Sequence, residues 1–238
     1  MEKNKVKRAI ILAAGVGKRM QPLTLKKPKP LVEVNKVSMI DTIVEALNAN
    51  GIFEIYVVIG YLKEQFYKWK EKHKDIILIE NPYYMTSNNI SSLYVARDYI
   101  SDCFILDGDQ IISNNAVLST EIIKSGYNVV WTDDKTDEWV LKVDGEIISS
   151  CLRTGGDHAW QLFSISRWSK EDGQKLKKHL EIEFDERFNR DIYWDEIALF
   201  YHRNDYSLGI YPMKFGDVLE IDSLKELSVF DSSYKDLN

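Results

Sequence analysis

After Arg8 the chain runs apolar to Ala14 without a break or an alternation. That pattern predicts a short strand buried on both faces, as in a parallel sheet. From Met39 to Asn50 the apolar positions Ile40, Ile43, Val44 and Leu47 fall on one helical face, and Gly51 closes the element at its C-cap. The rhythm then repeats. "EIYVVIG" predicts a second strand and "YLKEQFYKWKEKH" a second amphipathic helix. "DIILIEN" reads as a third strand and "SSLYVARDYI" as a third helix. "CFILDGDQII" reads as a fourth strand ending in acidic residues. Strands alternating with helices over short connections predict an α/β, Rossmann-like, mostly parallel mixed sheet with helices on both faces. Ligands of such sheets sit at the carboxyl ends of the strands. The Gly15 loop and the Asp107–Asp109 segment both lie at such ends.

Beyond about residue 125 the rhythm loosens. "YNVVWTDD" and "EWVLKVDGEIISSC" predict strands around a turn, and Ser169–His179 a helix. "NRDIYWDEIALFYHR" predicts a helix with Ile192, Ile197 and Phe200 inward. "YSLGIYPM" and "VLEI" read as strands, and "DSLKELSVF" as a closing helix with Asp222 at its N-cap. No Pro-, Gly- or Ser-rich linker separates the halves, so residues 1–238 read as a single domain with an elaborated second half.

Composition narrows the function. At 45% hydrophobic and 29% charged, the 238 residues describe an ordinary soluble surface over a sizeable core. The net charge of −6 argues against a dedicated nucleic-acid binder. The two cysteines, Cys103 and Cys151, are too few and too far apart for a disulfide framework or a zinc site, and a reducing cytoplasm fits. "KNKVKR" before the apolar run has the outline of a short signal peptide, but that run leads straight into Lys18 and Arg19 with no cleavage site. No stretch reaches the length of a membrane span.

Against this acidic background, Lys18, Arg19, Lys26, Lys27 and Lys29 gather in one loop. A strand ending in Gly15–x–Gly17 suits close backbone approach to phosphate. It is neither common phosphate loop. The dinucleotide fingerprint needs glycine where Met20 stands, and the P-loop needs Ser or Thr after its Gly-Lys, where Arg19 stands. Arg19 offers a planar fork and Lys29 a point charge, while Lys18, Lys26 and Lys27 read as a solvated face or as steering. The alternative for the whole loop is a solvated basic surface. In "LDGDQ", Asp107 and Asp109 would share a strand face and could hold Mg²⁺; alternatively Asp-Gly marks a turn. In "EID", the spacing alone favours Asp222 as a helix cap. Aromatics stand beside acids in "DEWV" (Trp139), "DHAW" (Trp160) and "DIYWDE" (Tyr193, Trp194). Such sets can enclose a cationic head, or can simply be core. His158 sits in a loop with site-like company and reads equally as a surface residue.

"ILAAGVGKRMQPLT" followed by "KPKPLVEV" resembles the N-terminal signature of sugar-phosphate type nucleotidyltransferases. "NNISSLYVARD", "DEWVLKV", "IYWDEI" and "EIDSLKEL" narrow the resemblance to bacterial CTP:phosphocholine cytidylyltransferases. The resemblance implies a nucleotide-binding part over 5–125 and an acceptor-binding and closing part over 126–238. It implies that Leu12, Ala13, Ala14 and Gly15 hold base and ribose, with Asn88, Asn89 and Ser92 nearby. Gly17, Arg19 and Lys29 would bind phosphates, Asp109 and Asp222 would hold Mg²⁺, and Trp139, Tyr193 and Asp195 would take the acceptor head. Arg19, Lys29 and Asp109 would carry the catalysis. The implied reaction transfers CMP from CTP to phosphocholine, releasing pyrophosphate. The implied partners are small molecules, not nucleic acid or membrane, and a homodimer stays open. "TGGDHAWQLFSIS" departs from the more apolar strand expected there, which leaves room for 2-aminoethylphosphonate, an amino-acid phosphate or a sugar phosphate as acceptor. The reading from another class is an inactive, nucleotide-sensing domain.

Overall fold

The computed structural model describes residues 4–237. The outer ends of the 1–238 reading, and Lys3 of the basic N-terminal run, lie outside the described residues. One nine-stranded sheet runs in the order β5 (Ile77–Glu80), β4 (Glu54–Ile59), β1 (Arg8–Ala13), β6 (Cys103–Asp107), β11 (Ala159–Trp168), β8 (Gly126–Thr132), β12 (Gly209–Met213), β10 (Ile147–Leu152), β9 (Val140–Asp144). The sheet is mixed, as expected, but the parallel run is confined to β5-β4-β1-β6. β11 joins antiparallel to both β6 and β8, and only β12–β8 restores a parallel pair.

The unbroken apolar character of β1 follows from burial on both sides. Ile10, Leu12 and Ala14 pack with Ile90 and Leu93 of α3 (Ile90–Val95) and with Leu176 and Leu180 of α4 (Lys170–Glu181). Ala9, Ile11 and Ala13 face Ile40, Ile43 and Leu47 of α1 (Met39–Ala49) and Phe66 of α2 (Lys63–Lys70). Helices therefore cover both faces, as the β-α rhythm requires. α1 begins where the Ser38 hydroxyl accepts from the Asp41 amide, and Gly51 turns the chain just past its end at φ 77°.

Three expectations are corrected. "CFILDGDQII" is not one strand: it ends at Asp107, and the chain crosses over at Gly108, whose amide donates to the Leu12 carbonyl at 2.9 Å. A side chain at Gly108 would press on that same carbonyl, 3.1 Å from its Cβ. The chain resumes as β7 (Gln110–Ile112), paired antiparallel with β13 (Val218–Glu220). The alternation argument for Asp107 and Asp109 therefore does not apply. Second, "NRDIYWDEIALFYHR" is not a continuous helix. The Tyr193 amide donates to Glu196 and the Trp194 amide to Asn89, so helical bonding begins only after them and continues as a π turn at Ile197–Tyr201. Ile192 and Ile197 are buried as expected, but Phe200 is partly exposed and Trp194 takes the core place. Third, Ser223, not Asp222, caps α5 (Leu224–Phe230), in a capping box with Glu226.

A third apolar cluster ties the basic loop to the C-terminal segment. Met20, Val32, Val34 and Met39 pack with Ile221, Leu224 and Leu227. Val34 belongs to a short hairpin of β2 (Glu33–Val34) and β3 (Val37–Ser38). The place where a dinucleotide fingerprint would have glycine is filled by Met20 as an anchor.

Candidate active site

Lys29 stands at the centre of the site. Its side chain is buried, and its Nζ lies 2.7 Å from Asp109 Oδ2 and 2.6 Å from Asp222 Oδ1. Arg19 reaches the same Asp222 oxygen at 2.8 Å. The fold makes this meeting from three distant stretches. Asp109 follows the crossover at Gly108, and Asp222 follows β13. In the β7–β13 ribbon Gln110 is opposite Glu220, so Asp109 and Asp222 leave the same end of the ribbon, one residue before and two residues after that pair. Met20 and Ile221, neighbours of Arg19 and Asp222, are both fully buried in the third cluster and fix where those side chains start. Because Ser223 caps the helix, the Asp222 carboxylate is free to turn to the cations.

Gly17 shows why the loop has its form. Its φ is +65°, and a side chain there would meet Lys29 Cβ and Thr24 Cγ2, both at 3.1 Å. The buried Thr24 hydroxyl donates to the Gly17 carbonyl at 2.8 Å. The loop is thus folded against the stem of Lys29. Gly15 has open space around its missing side chain.

Two connected cavities meet at this point. The larger, of about 820 Å³, is lined by Leu12, Ala13, Ala14, Gly15, Gly17, Lys18, Arg19, Lys29, Asn88, Asn89 and Ser92, with Asp107, Asp109 and Asp222 at one end. The smaller, of about 240 Å³, is lined by Trp139, Tyr193 and Asp195, with Glu138, Ser164 and Glu220. Arg19, Asn89, Asp107, Tyr193 and Asp222 line both. Every site residue expected from the sequence therefore borders one of the two cavities.

Several of those residues also hold the walls together. The Asn88 side chain donates to the Asp191 carbonyl, and Asn89 Oδ1 accepts from the Trp194 amide. The Ser92 hydroxyl accepts from buried Asn81. Trp139 meets Tyr193 edge-to-face with ring centres 5.7 Å apart, and Phe200 likewise at 5.9 Å. Tyr193 is steadied through Glu196, which pairs with Arg153.

Charge is unusually dense. Burial alone would push the Lys29 ammonium down, but Asp109 and Asp222 outweigh it and hold its pKa above the ordinary value. Burial, then repulsion from Asp109, raises Asp107 well above the usual carboxylate range. Glu220 is raised for the same reasons, burial first and then Asp109 and Asp222. Burial pushes Asp195 up to about 7, while the Tyr127 hydroxyl pulls the other way. Glu138 is raised by burial and by Asp222. Carboxylates crowded so closely call for a cation. Asp109 and Asp222 converge on one cation already, the Lys29 ammonium, and their hard oxygen donors fit Mg²⁺ as well.

Sequence reasoning did not assign Glu138, Ser164, Glu220 or Arg153. Glu138 and Glu220 stand inside the motifs "DEWV" and "EID", where nothing local distinguishes them from an exposed carboxylate. Nothing local marks Ser164 or Arg153. Other singled-out residues lie elsewhere. Trp160 packs edge-to-face on Trp131, with ring centres 5.2 Å apart and outside both cavities. Trp194 stacks in the core against Tyr127. His158 is exposed beside Asp157. Cys103 and Cys151 are free and buried.

Residues 8–126 match the family model described as nucleotidyl transferase. The chain is 35% identical over 230 residues to the 2-aminoethylphosphonate cytidylyltransferase of Lancefieldella rimae, covering 95% of this chain and 92% of that one. It is 30% identical to the choline-phosphate cytidylyltransferase of Streptococcus pneumoniae, covering 97% and 100%. The solved structure of the S. pneumoniae CTP:phosphocholine cytidylyltransferase superposes with a TM-score of 0.87 at 29% identity, over 96% of this chain and 99% of that one.

Proposed function

The chain belongs to the nucleotidyl transferase family, and from that premise we propose that it transfers CMP from CTP to a small acceptor carrying phosphate or phosphonate at one end and an ammonium at the other. The observation that carries this reading is the junction of the two cavities. A cleft with a glycine-bearing loop and two cations opens into a small acidic and aromatic pocket through Arg19, Asp107 and Asp222.

In this reading an acceptor oxygen attacks the α-phosphorus of CTP and forms the new P–O bond. The bond to the β-phosphate oxygen breaks, and pyrophosphate carries that electron pair away. No side-chain nucleophile is needed, so the chain contributes position and charge. Arg19 faces the triphosphate. Lys29 exchanges part of its contact with Asp109 and Asp222 for the phosphate of the acceptor. Asp109 and Asp222 would hold Mg²⁺, which supplies charge neutralisation on the reacting phosphates when bound. The backbone from Leu12 to Gly15 lies against the nucleoside, and Asn88, Asn89 and Ser92 close its far side.

The acceptor head would lie among Trp139, Tyr193 and Asp195. A primary ammonium has three N–H donors and is best met by oxygen acceptors. Asp107, Glu138, Asp195 and Glu220 line the small pocket, and that carboxylate density favours an aminoalkyl phosphonate or phosphate such as 2-aminoethylphosphonate. Phosphocholine is the second reading, supported by the Trp139–Tyr193 pair, since rings attract a quaternary ammonium.

The test is pyrophosphate release from CTP and Mg²⁺ with 2-aminoethylphosphonate, phosphoethanolamine, phosphocholine and glycerol phosphate. Release with the cation-headed acceptors and little with glycerol phosphate supports the proposal. Release with none would favour the inactive, nucleotide-sensing reading.

A further inference from the structure

We propose that His179, His202 and Asp205 form a binding site for a transition-metal ion of the zinc class, outside the cleft described above. His179 lies in the last turn of α4, His202 just after the π turn at Ile197–Tyr201, and Asp205 three residues further on. One Asp205 oxygen, Oδ2, lies 3.4 Å from His179 Nε2 and 3.8 Å from His202 Nδ1. One ligand atom from each residue lies within 4.8 Å of the other two.

Those separations are long for hydrogen bonds, whose N–H···O distances centre near 2.9–3.0 Å. They are close to what a shared ion requires. Ligand atoms about 2.0–2.1 Å from a tetrahedral zinc stand roughly 3.3–3.4 Å apart. Two imidazoles and a carboxylate are also a donor set of the kind that ion prefers.

The outer partners are in place. His202 Nε2 lies 2.8 Å from Glu183 Oε1, and Glu183 is fully buried and also accepts from Arg187 and Asn189. Glu183 is thus an acceptor between the Arg187 guanidinium and the Asn189 amide, and His202 donates Nε2–H to it. The lone pair of His202 is then left on Nδ1, facing Asp205. His179 Nδ1 is 2.7 Å from the Tyr206 hydroxyl, which leaves Nε2 on the Asp205 side. A metal-bound histidine whose other nitrogen is bonded to a carboxylate or hydroxyl is the usual arrangement of such centres. Asp205 is more than half exposed, and a surface cavity of about 390 Å³ reaches His202 and Asp205, so an ion has a way in. The two rings now stack at 3.8 Å and 9°, and they must tilt to share an ion. That tilt would tie the end of α4 to the segment leaving Tyr193 and Asp195.

The test uses the whole chain stripped with chelator and titrated with Zn²⁺, with excess Mg²⁺ present to occupy oxygen-only sites. Expected is one equivalent bound, and a Co²⁺ complex with the intense visible bands of nitrogen-ligated tetrahedral cobalt. Zinc at a hundred times its Kd should raise the melting midpoint by roughly 5–10 °C. Asp205→Asn and His202→Gln should each weaken binding by more than the roughly 10–100-fold typical of losing an outer partner. Asp205 is exposed, so its variant keeps the fold and makes the comparison clean. Absence of one-equivalent binding, or unchanged binding and cobalt bands in Asp205→Asn, would overturn the proposal.

Discussion

Replacing Asp195 with Asn tests the small acidic cavity, the proposed acceptor pocket, through its electrostatics. Asp195 is 6% exposed, and burial pushes its pKa up to about 7. The Tyr127 hydroxyl opposes that rise, Glu196 adds to it, and Asp107 lines the same pocket. In the unfolded chain the carboxyl ionises near its ordinary value of about 4. Between about pH 4 and 7 the folded protein therefore binds the extra proton, and folding stability falls as pH rises. Above pH 7 the penalty is complete and flat. Holding a carboxyl about three pH decades above its ordinary value corresponds to roughly 4 kcal/mol at full ionisation. Asn has the same shape and no charge, so it escapes the penalty. At about 2–4 °C per kcal/mol for a chain of this size, the variant's melting midpoint should exceed the parent's by up to roughly 8–16 °C at pH 8. The gap should nearly vanish at pH 4. Asp107 feels the Asp195 charge and is relieved along with it in the variant, which widens the gap. Titrations of groups away from Asp195 are shared by both proteins and cancel in the difference. Scanning fluorimetry of both from pH 4 to 8 reads the gap directly. A gap that does not change with pH, or an Asn variant progressively weaker above pH 7, would refute the reasoning. At pH 8 the same variant should raise the KM of a cationic acceptor and leave that of CTP nearly unchanged.

Lys29→Ala and Asp109→Ala should each cut kcat/KM by about 10²–10³-fold, because each removes a preorganised charge; near-parental kinetics in a folded variant would sink the assignment. Trp139→Ala should raise the acceptor KM and spare the CTP KM, and equal effects on both would remove Trp139 from the acceptor wall. Gly17→Ala should cost about 1–3 kcal/mol in chemical denaturation, since φ +65° and the 3.1 Å contacts with Thr24 and Lys29 both resist a side chain; an unchanged midpoint would contradict the loop geometry.

Much of the first half was readable because its signals are local. β1 and the strands beside it are buried on both faces, so their apolar runs needed no partner to be recognised. α1 carries its own cap and stop. The second half was less readable for an equally physical reason. Between Asn189 and Tyr201 the pattern looks helical, yet Asn89 and Glu196 take the amides that a helix would use. At Gly108 the apolar run continues through a crossover that only the neighbouring Leu12 carbonyl explains. Asp222 and Ser223 are both good caps, and the choice between them turned on Glu226 and on two cations far away in sequence.

The sequence by itself determined the α/β rhythm and the basic, glycine-bearing form of the Gly15 loop, which rest on composition and on spacing within a few turns. The residues that border the cleft followed from the resemblance of its motifs to a known family. Tertiary structure alone decided how they combine. It set Lys29 between Asp109 and Asp222, 80 and 193 residues away, and placed Glu138 and Glu220 on the wall of the small cavity. It also stacked His179 on His202. Charges interact through space, and only the folded chain fixes those distances.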